Sequence, residues 1–138
     1  MNLRIRDASG WTIFTFGILA LLFGLLGLIR PELILSVLGF DMVERESRAS
    51  SDYTIVFMIA SSMASFNIGV YYILAAFNDI KKFYLWTVPF RGLTFTVFTT
   101  FVVLGIAPGR FFGVGLWELL GGIATGIALY KERPVKSK

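Results

Sequence analysis

Two long stretches of this chain carry no charge at all: there is none between Asp7 and Arg30, and none between Asp52 and Asp79. Each gap holds the roughly 20 apolar residues that cross a hydrocarbon core of about 30 Å. The stretch Phe83–Ile106 is equally apolar apart from Arg91, and Phe111–Tyr130 is interrupted only by Glu118. A backbone in lipid must satisfy its own hydrogen bonds, so such segments are helices and not open strands. The pattern predicts an all-α protein, one transmembrane domain over residues 1–138. It is an integral membrane four-helix bundle with spans at about 11–29, 53–77, 83–106 and 111–130 and an outer loop at 30–52.

Composition agrees and excludes much else. Charged residues make up 16% of the chain, against about 25% in a soluble domain. There is no Cys, which removes disulfides, thiolate metal sites and thiol nucleophiles. There is no His, which removes the commonest metal ligand, the usual haem ligand and the usual proton shuttle. No metal site and no catalytic residue are therefore predicted.

Orientation follows from Lys and Arg in the flanks. One side carries Arg4, Arg6, Lys81, Lys82, Lys131, Arg133, Lys136 and Lys138; the other has Arg30, Arg45, Arg48 and Arg110 among several acidic residues. The positive-inside rule then puts both termini in the cytoplasm, with the protein integral to the plasma (bacterial inner) membrane. The lipid bilayer is the expected partner. The net charge of +4 is a topology signal, and the tail KERPVKSK is too sparse for nucleic acid. The first span exceeds a signal-peptide core and lacks a small-x-small cleavage site, so it is read as a helix. Trp11, Tyr53, Tyr84, Trp86 and Tyr130 lie near span ends, where amphipathic rings settle at the headgroups.

The run from Pro31 to Gly39 reads as a short helix: Pro in the first turn, Glu32 at the positive end, Gly39 after the last turn. It is too short to span and too apolar to be solvated, so it is placed in the outer interface. Asp41 to Asp52 form a polar loop, either a tether closing the bundle or a lid over an outward-facing site.

Small residues stripe three spans: Gly17, Ala20, Gly24 and Gly27; Ser61, Ser65 and Gly69; and Gly122 with Gly126, Gly115 lying further along. Such stripes let backbones approach closely in lipid, where no hydrophobic force drives helices together. They build either the monomer's own bundle or a homo-oligomer interface. The third span is instead rich in Phe and Thr, and Pro89 should kink it by freeing a carbonyl near Leu85.

Arg91, Glu118 and Asn67 are the strongly polar residues within the spans. At 1.5 Å per residue they lie roughly 12, 18 and 15 Å from the cytoplasmic ends of their helices. One polar cluster is the economical arrangement, since a lone charge at a helix centre costs about 2.5–3.5 kcal/mol. Thr94 shares the Arg91 face and Tyr71 shares the Asn67 face, so Arg91, Glu118, Asn67, Tyr71 and Thr94 are the candidate ligand-binding residues. Three uses are open: an Arg–Glu pair that only fixes register, a site where Arg91 holds an anionic or carbonyl group, or proton-coupled chemistry at Glu118. The last covers a small oligomeric transporter or an intramembrane isomerase, though no inverted repeat relates the halves.

Four spans, cytoplasmic termini, the turn Arg30-Pro31-Glu32 through Leu38-Gly39, and Gly69-Val70-Tyr71-Tyr72 together resemble the small DoxX-like membrane proteins. That resemblance implies the four-span fold and an association with quinone-linked oxidoreductases. It supplies no set of catalytic residues. The expected role is an accessory subunit or a binder of a lipophilic small molecule, with no cofactor beyond a bound lipid or quinone. A homo-oligomer and a larger membrane complex are the two assemblies it could enter.

Overall fold

The computed structural model describes residues 4–132, so the tail charges Arg133, Lys136 and Lys138 lie outside the described residues. Those residues form five α-helices and no strand: α1 (Ala8–Ile29), α2 (Pro31–Leu38), α3 (Thr54–Phe77), α4 (Lys81–Val103) and α5 (Phe111–Lys131). The all-α architecture is as expected, with helix ends shifted by a few residues. Asp7 starts α1 three residues before Trp11, because its carboxylate accepts the Gly10 N–H at 2.8 Å as an N-cap. Chain reversal stops α4 at Val103, where Gly105 takes a left-handed φ of 70°. The short helix α2 has the predicted form, with Pro31 at its start and Gly39 at φ 88° closing it.

Of the four expected spans, three meet the length and apolarity of a membrane-crossing helix. Helices α1, α3 and α5 are long and apolar enough to cross a membrane, and α4 is not. Its 23 residues are sufficient in length, but Lys81, Lys82, Arg91, Pro89 and five threonines dilute its apolar content. It runs unbroken through Pro89. Three hydroxyls on its outer surface bond back along the helix, Thr94 to the Phe90 carbonyl, Thr96 to Gly92 and Thr100 to Thr96, at 2.8–3.0 Å.

The helices pack as two antiparallel pairs, α1 with α3 and α4 with α5, joined chiefly where α1 meets α5. The start of α1 and the end of α5 thus lie at one end of the bundle. The α1/α3 pair is a backbone contact. A Cβ on Gly24 would fall 2.5 Å from the Phe66 nitrogen and 2.8 Å from the Ser62 carbonyl. One on Gly69 would fall 2.6 Å from the Leu21 nitrogen and 2.7 Å from the Gly17 carbonyl. Ser65 adds a hydrogen bond to the Ala20 carbonyl at 2.9 Å. The glycines therefore build the protein's own fold. The serine in contact with Gly27 is Ser62, however, and not Ser61, which is exposed. On α5, Gly115 packs on Phe95 and Phe98, while Gly122 meets the Arg91 Cβ and the Val88 carbonyl.

Ile13, Ala75, Ala76 and Tyr84 form a core at the end where α1 starts and α5 finishes. Tyr84 is not the interfacial ring that its position near a span end suggested. It is fully buried, and its hydroxyl donates to the Ala75 carbonyl at 3.2 Å. A phenol this deep needs a partner, and the carbonyls at the end of α3 supply one. At the opposite end the loop is anchored by Arg48 to Asp52 at 2.7 Å and by Arg45 to Glu32. Asp52 also accepts the Thr54 N–H at 2.9 Å, at the start of α3.

Most of the remaining helix surface is apolar and exposed, including Leu22, Phe23, Phe57, Val103, Ile123 and Ile127. A water-facing surface of that kind would not stay dispersed. Two substitutions separate close packing from helix propensity. Gly24→Ala should destabilise the detergent-solubilised protein by about 1–3 kcal/mol, because the new methyl meets backbone that cannot yield. Gly92→Ala, with nothing within 4 Å of its Cβ position, should be neutral or stabilising by up to about 1 kcal/mol. Thermal unfolding of the two variants beside wild type reads both.

Candidate functional site

The buried face of α4 is set by its period: Tyr84, Thr87 and Arg91 all face inward. Arg91 is 3% exposed. Its guanidinium carbon lies 3.4 Å from the centroid of the Phe16 ring on α1 and 5.4 Å from that of Tyr72 on α3. Phe16 is itself backed by Trp117 of α5, with centroids 5.1 Å apart. Glycine makes the space, since a Cβ on Gly121 would collide with Phe16 and stand 2.5 Å from Arg91 Nη1. The expected pairing with Glu118 is present, at 3.7 Å from Nε to Oε2. That distance is an ion pair but too long for a hydrogen bond.

The guanidinium is consequently in an unusual state. Nε, Nη1 and Nη2 are all buried without a hydrogen-bond partner. Arginine cannot shed its charge, so two π-faces and one carboxylate at Coulomb distance compensate it. A desolvated cation–π contact contributes about 2 kcal/mol. Leaving buried donors unpaired costs about 1–3 kcal/mol each, and more when the group is charged. Five planar N–H donors in an apolar setting can receive an acceptor-only group such as a carbonyl, carboxylate or phosphate oxygen.

The other candidates fall elsewhere. Asn67 is exposed and makes no hydrogen bond, and Tyr71 is 60% exposed. Each lies two residues from Gly69, roughly 200° around the helix from the face that packs on α1. Thr94 lies one turn from Arg91, but its hydroxyl is engaged by the Phe90 carbonyl. Besides Glu118 and Gly122, Arg91 meets Phe16, Tyr72 and Gly121, none of which was among the candidate ligand-binding residues. One signal was available for Tyr72: it is three residues from Gly69, on the packed side. A groove of about 250 Å³ lined by Trp11, Thr12, Thr15, Phe16 and Ala124 shares the Phe16 ring with the Arg91 site. Across the α1–α5 contact, the Thr12 and Thr125 hydroxyls are hydrogen-bonded at 2.9 Å.

A second polar group, also unanticipated, ties three helix ends together. Lys81 at the start of α4 bonds to Asp7 ahead of α1, to Ser9 Oγ at 2.8 Å and to Glu132 beyond α5 at 2.8 Å. Asp79 stands 3.3 Å from the same ammonium. Glu132 accepts both the Ser9 N–H at 2.8 Å and the Ser9 hydroxyl at 2.6 Å, which satisfies a free donor at the N-terminus of α1. Burial works to raise the Asp7 carboxyl, but hydrogen bonds from Lys81 and the Gly10 N–H outweigh it and hold it below its ordinary 3.8. Burial acts the same way on Glu132, where Lys81 and Ser9 prevail and hold it below its ordinary 4.5. Among the described residues no group of His, Cys, Asp and Glu side chains is placed to hold a metal.

Comparison with known proteins finds no matching family, no similar curated protein and no similar solved structure.

Both carboxyls in the clasp are depressed, so its stabilisation is complete above their ordinary values and is lost as pH falls through and below 4.5 and 3.8. The unfolding temperature in detergent should accordingly drop on acidification through that window. Lys81→Met should cost about 1 kcal/mol near neutral pH, where it leaves Asp7, Asp79 and Glu132 without their shared counter-charge, and should flatten the acid limb. A variant whose acid limb matched wild type would exclude the clasp as its source.

Proposed function

We propose that the chain is a four-span integral membrane protein that binds a lipophilic small molecule, quinone- or lipid-like, through Arg91. The observation that carries this reading is the buried guanidinium whose three nitrogens all lack a hydrogen-bond partner. A ligand oxygen would satisfy them where Glu118, at 3.7 Å, does not. The apolar remainder of the ligand has a receiving surface in the Phe16 groove. Glu118, whose side chain is 29% exposed, completes the polar site as counter-charge.

Crossing by α4 is supported by its exposed face, which presents Leu85, Trp86, Phe90, Leu93, Val97 and Phe101. Arg91 is turned inward, and the Thr87, Thr94, Thr96 and Thr100 hydroxyls are bonded to their own helix. The end carrying both termini holds Arg4, Arg6, Lys81, Lys82 and Lys131, which favours the cytoplasm for that end. The four-span arrangement and the Pro31 turn are also what the DoxX-like resemblance implies.

Native mass spectrometry of protein extracted gently from its own membrane tests the reading, with wild type beside Arg91→Ala and Arg91→Lys. Wild type should retain a small molecule that Arg91→Ala loses. Arg91→Lys keeps the charge without the planar fork, so it should retain the fold and bind the molecule more weakly. A wild-type protein that leaves the membrane bare would overturn the proposal and make the pair a structural device.

A further inference from the structure

Helix α3 has two unlike faces. Toward α1 it presents Ser62, Ser65 and Gly69, closely packed. The opposite face carries Val56, Ala60, Met63, Asn67, Tyr71 and Leu74, all exposed. Val56, Ala60, Met63 and Asn67 step by 4, 3 and 4, the spacing of a seam between two helices wound about each other. Asn67 lies about 20 Å from one end of α3 and about 15 Å from the other, near the centre of any bilayer the helix crosses.

An amide at that depth has no water. Asn78, at the end of the same helix, turns back to bond the Leu74 carbonyl at 2.7 Å. Asn67 makes no such bond, and no neighbouring helix of the chain covers it. Facing hydrocarbon, its donors and acceptor would be unsatisfied, at a cost of a few kcal/mol. The group that best matches a carboxamide is another carboxamide, because each supplies the donor and acceptor that the other needs. Placed at a two-fold axis, one residue type satisfies itself. Ala60, one heptad away, is small enough to let the two helices approach.

We propose that the outward face of α3 is a dimerisation surface on which Asn67 of two copies of this chain hydrogen-bond to each other across a two-fold axis. The proposal rests on α3 crossing the membrane and is independent of any ligand at Arg91. It also explains why Asn67 and Tyr71 are turned away from the Arg91 site: they belong to a different surface.

The chain has no cysteine, so single-cysteine variants report contacts without background. In native membranes under mild oxidation, Ala60→Cys should give a covalent dimer of twice 15.4 kDa. Ser65→Cys, on the face packed against α1, should not. Adding Asn67→Leu to Ala60→Cys should lower the cross-linked fraction about tenfold at limiting protein density, from loss of two interhelical hydrogen bonds. Counting of labelled wild-type chains in vesicles by photobleaching supplies the second measurement. Two-step bleaching that reverts to one step in Asn67→Leu supports the surface. Single-step bleaching of wild type at every density, equal cross-linking from both faces, or capture of Ala60→Cys only by a different protein would overturn it.

Discussion

The close approach of α1 and α3 is the contact on which the rest of the fold depends. Between apolar helices in lipid there is no hydrophobic gain from association, so attraction has to come from dispersion at short range and from polar contacts. Gly17, Gly24 and Gly69 bring the two backbones together to a distance that excludes even a methyl group. That pair is then the platform for α5, which meets α1 through Thr12 and Thr125 and through Phe16 against Trp117. Helix α4 is held chiefly by α5, laid along its glycines.

This arrangement of contacts explains where the polar residues end up. Helix α4 reaches the interior with one face only, and that face carries Arg91. The Arg91 side chain fills the space that the α5 glycines leave, its stem against Gly122 and its guanidinium against Gly121 and the Phe16 ring. Its charge is compensated by the Phe16 and Tyr72 rings together with Glu118, whose side chain is partly exposed. At the chain-terminus end, where water is close, Lys81 instead gathers Asp7, Ser9 and Glu132 in full hydrogen-bond contact. The two sites differ in kind for that reason. The clasp is saturated and holds helices, whereas the Arg91 site has donors to spare.

Much of the site was legible in the chain, but unevenly. The Arg91–Glu118 pairing followed from equal depth on adjacent helices and from the cost of leaving either charge alone. Asn67 satisfied the same depth argument and yet lies on the far side of α3. Depth is one coordinate, and rotation about the helix axis is the other. The rotation was available in the Ser65–Gly69 stripe, two residues either side of Asn67, which already marked the opposite face as the packed one. Phe16 and Tyr72 carried no such mark, since apolar rings occur on every face of these helices. The Lys81 clasp was hidden because Lys81 lies 51 to 74 residues from Glu132, Ser9 and Asp7, and each charge reads alone as an ordinary flanking one.

By itself the sequence determined the helices, their ends to within a few residues and most of their small-residue faces. Those depend on local causes: uncharged length, the Asp7 cap, Pro31 and Gly39, and the steps between glycines. Only the tertiary structure decided which helix covers which. It set α3 against α1 and left α4 to meet it through side chains such as Tyr72 and Phe83. It also decided that Tyr84 is core and that Asn67 is surface. The reason is that lipid-facing and protein-facing positions are nearly equally apolar in such a chain. Hydrophobicity therefore does not distinguish the inside from the outside, and steric fit between particular faces must do so.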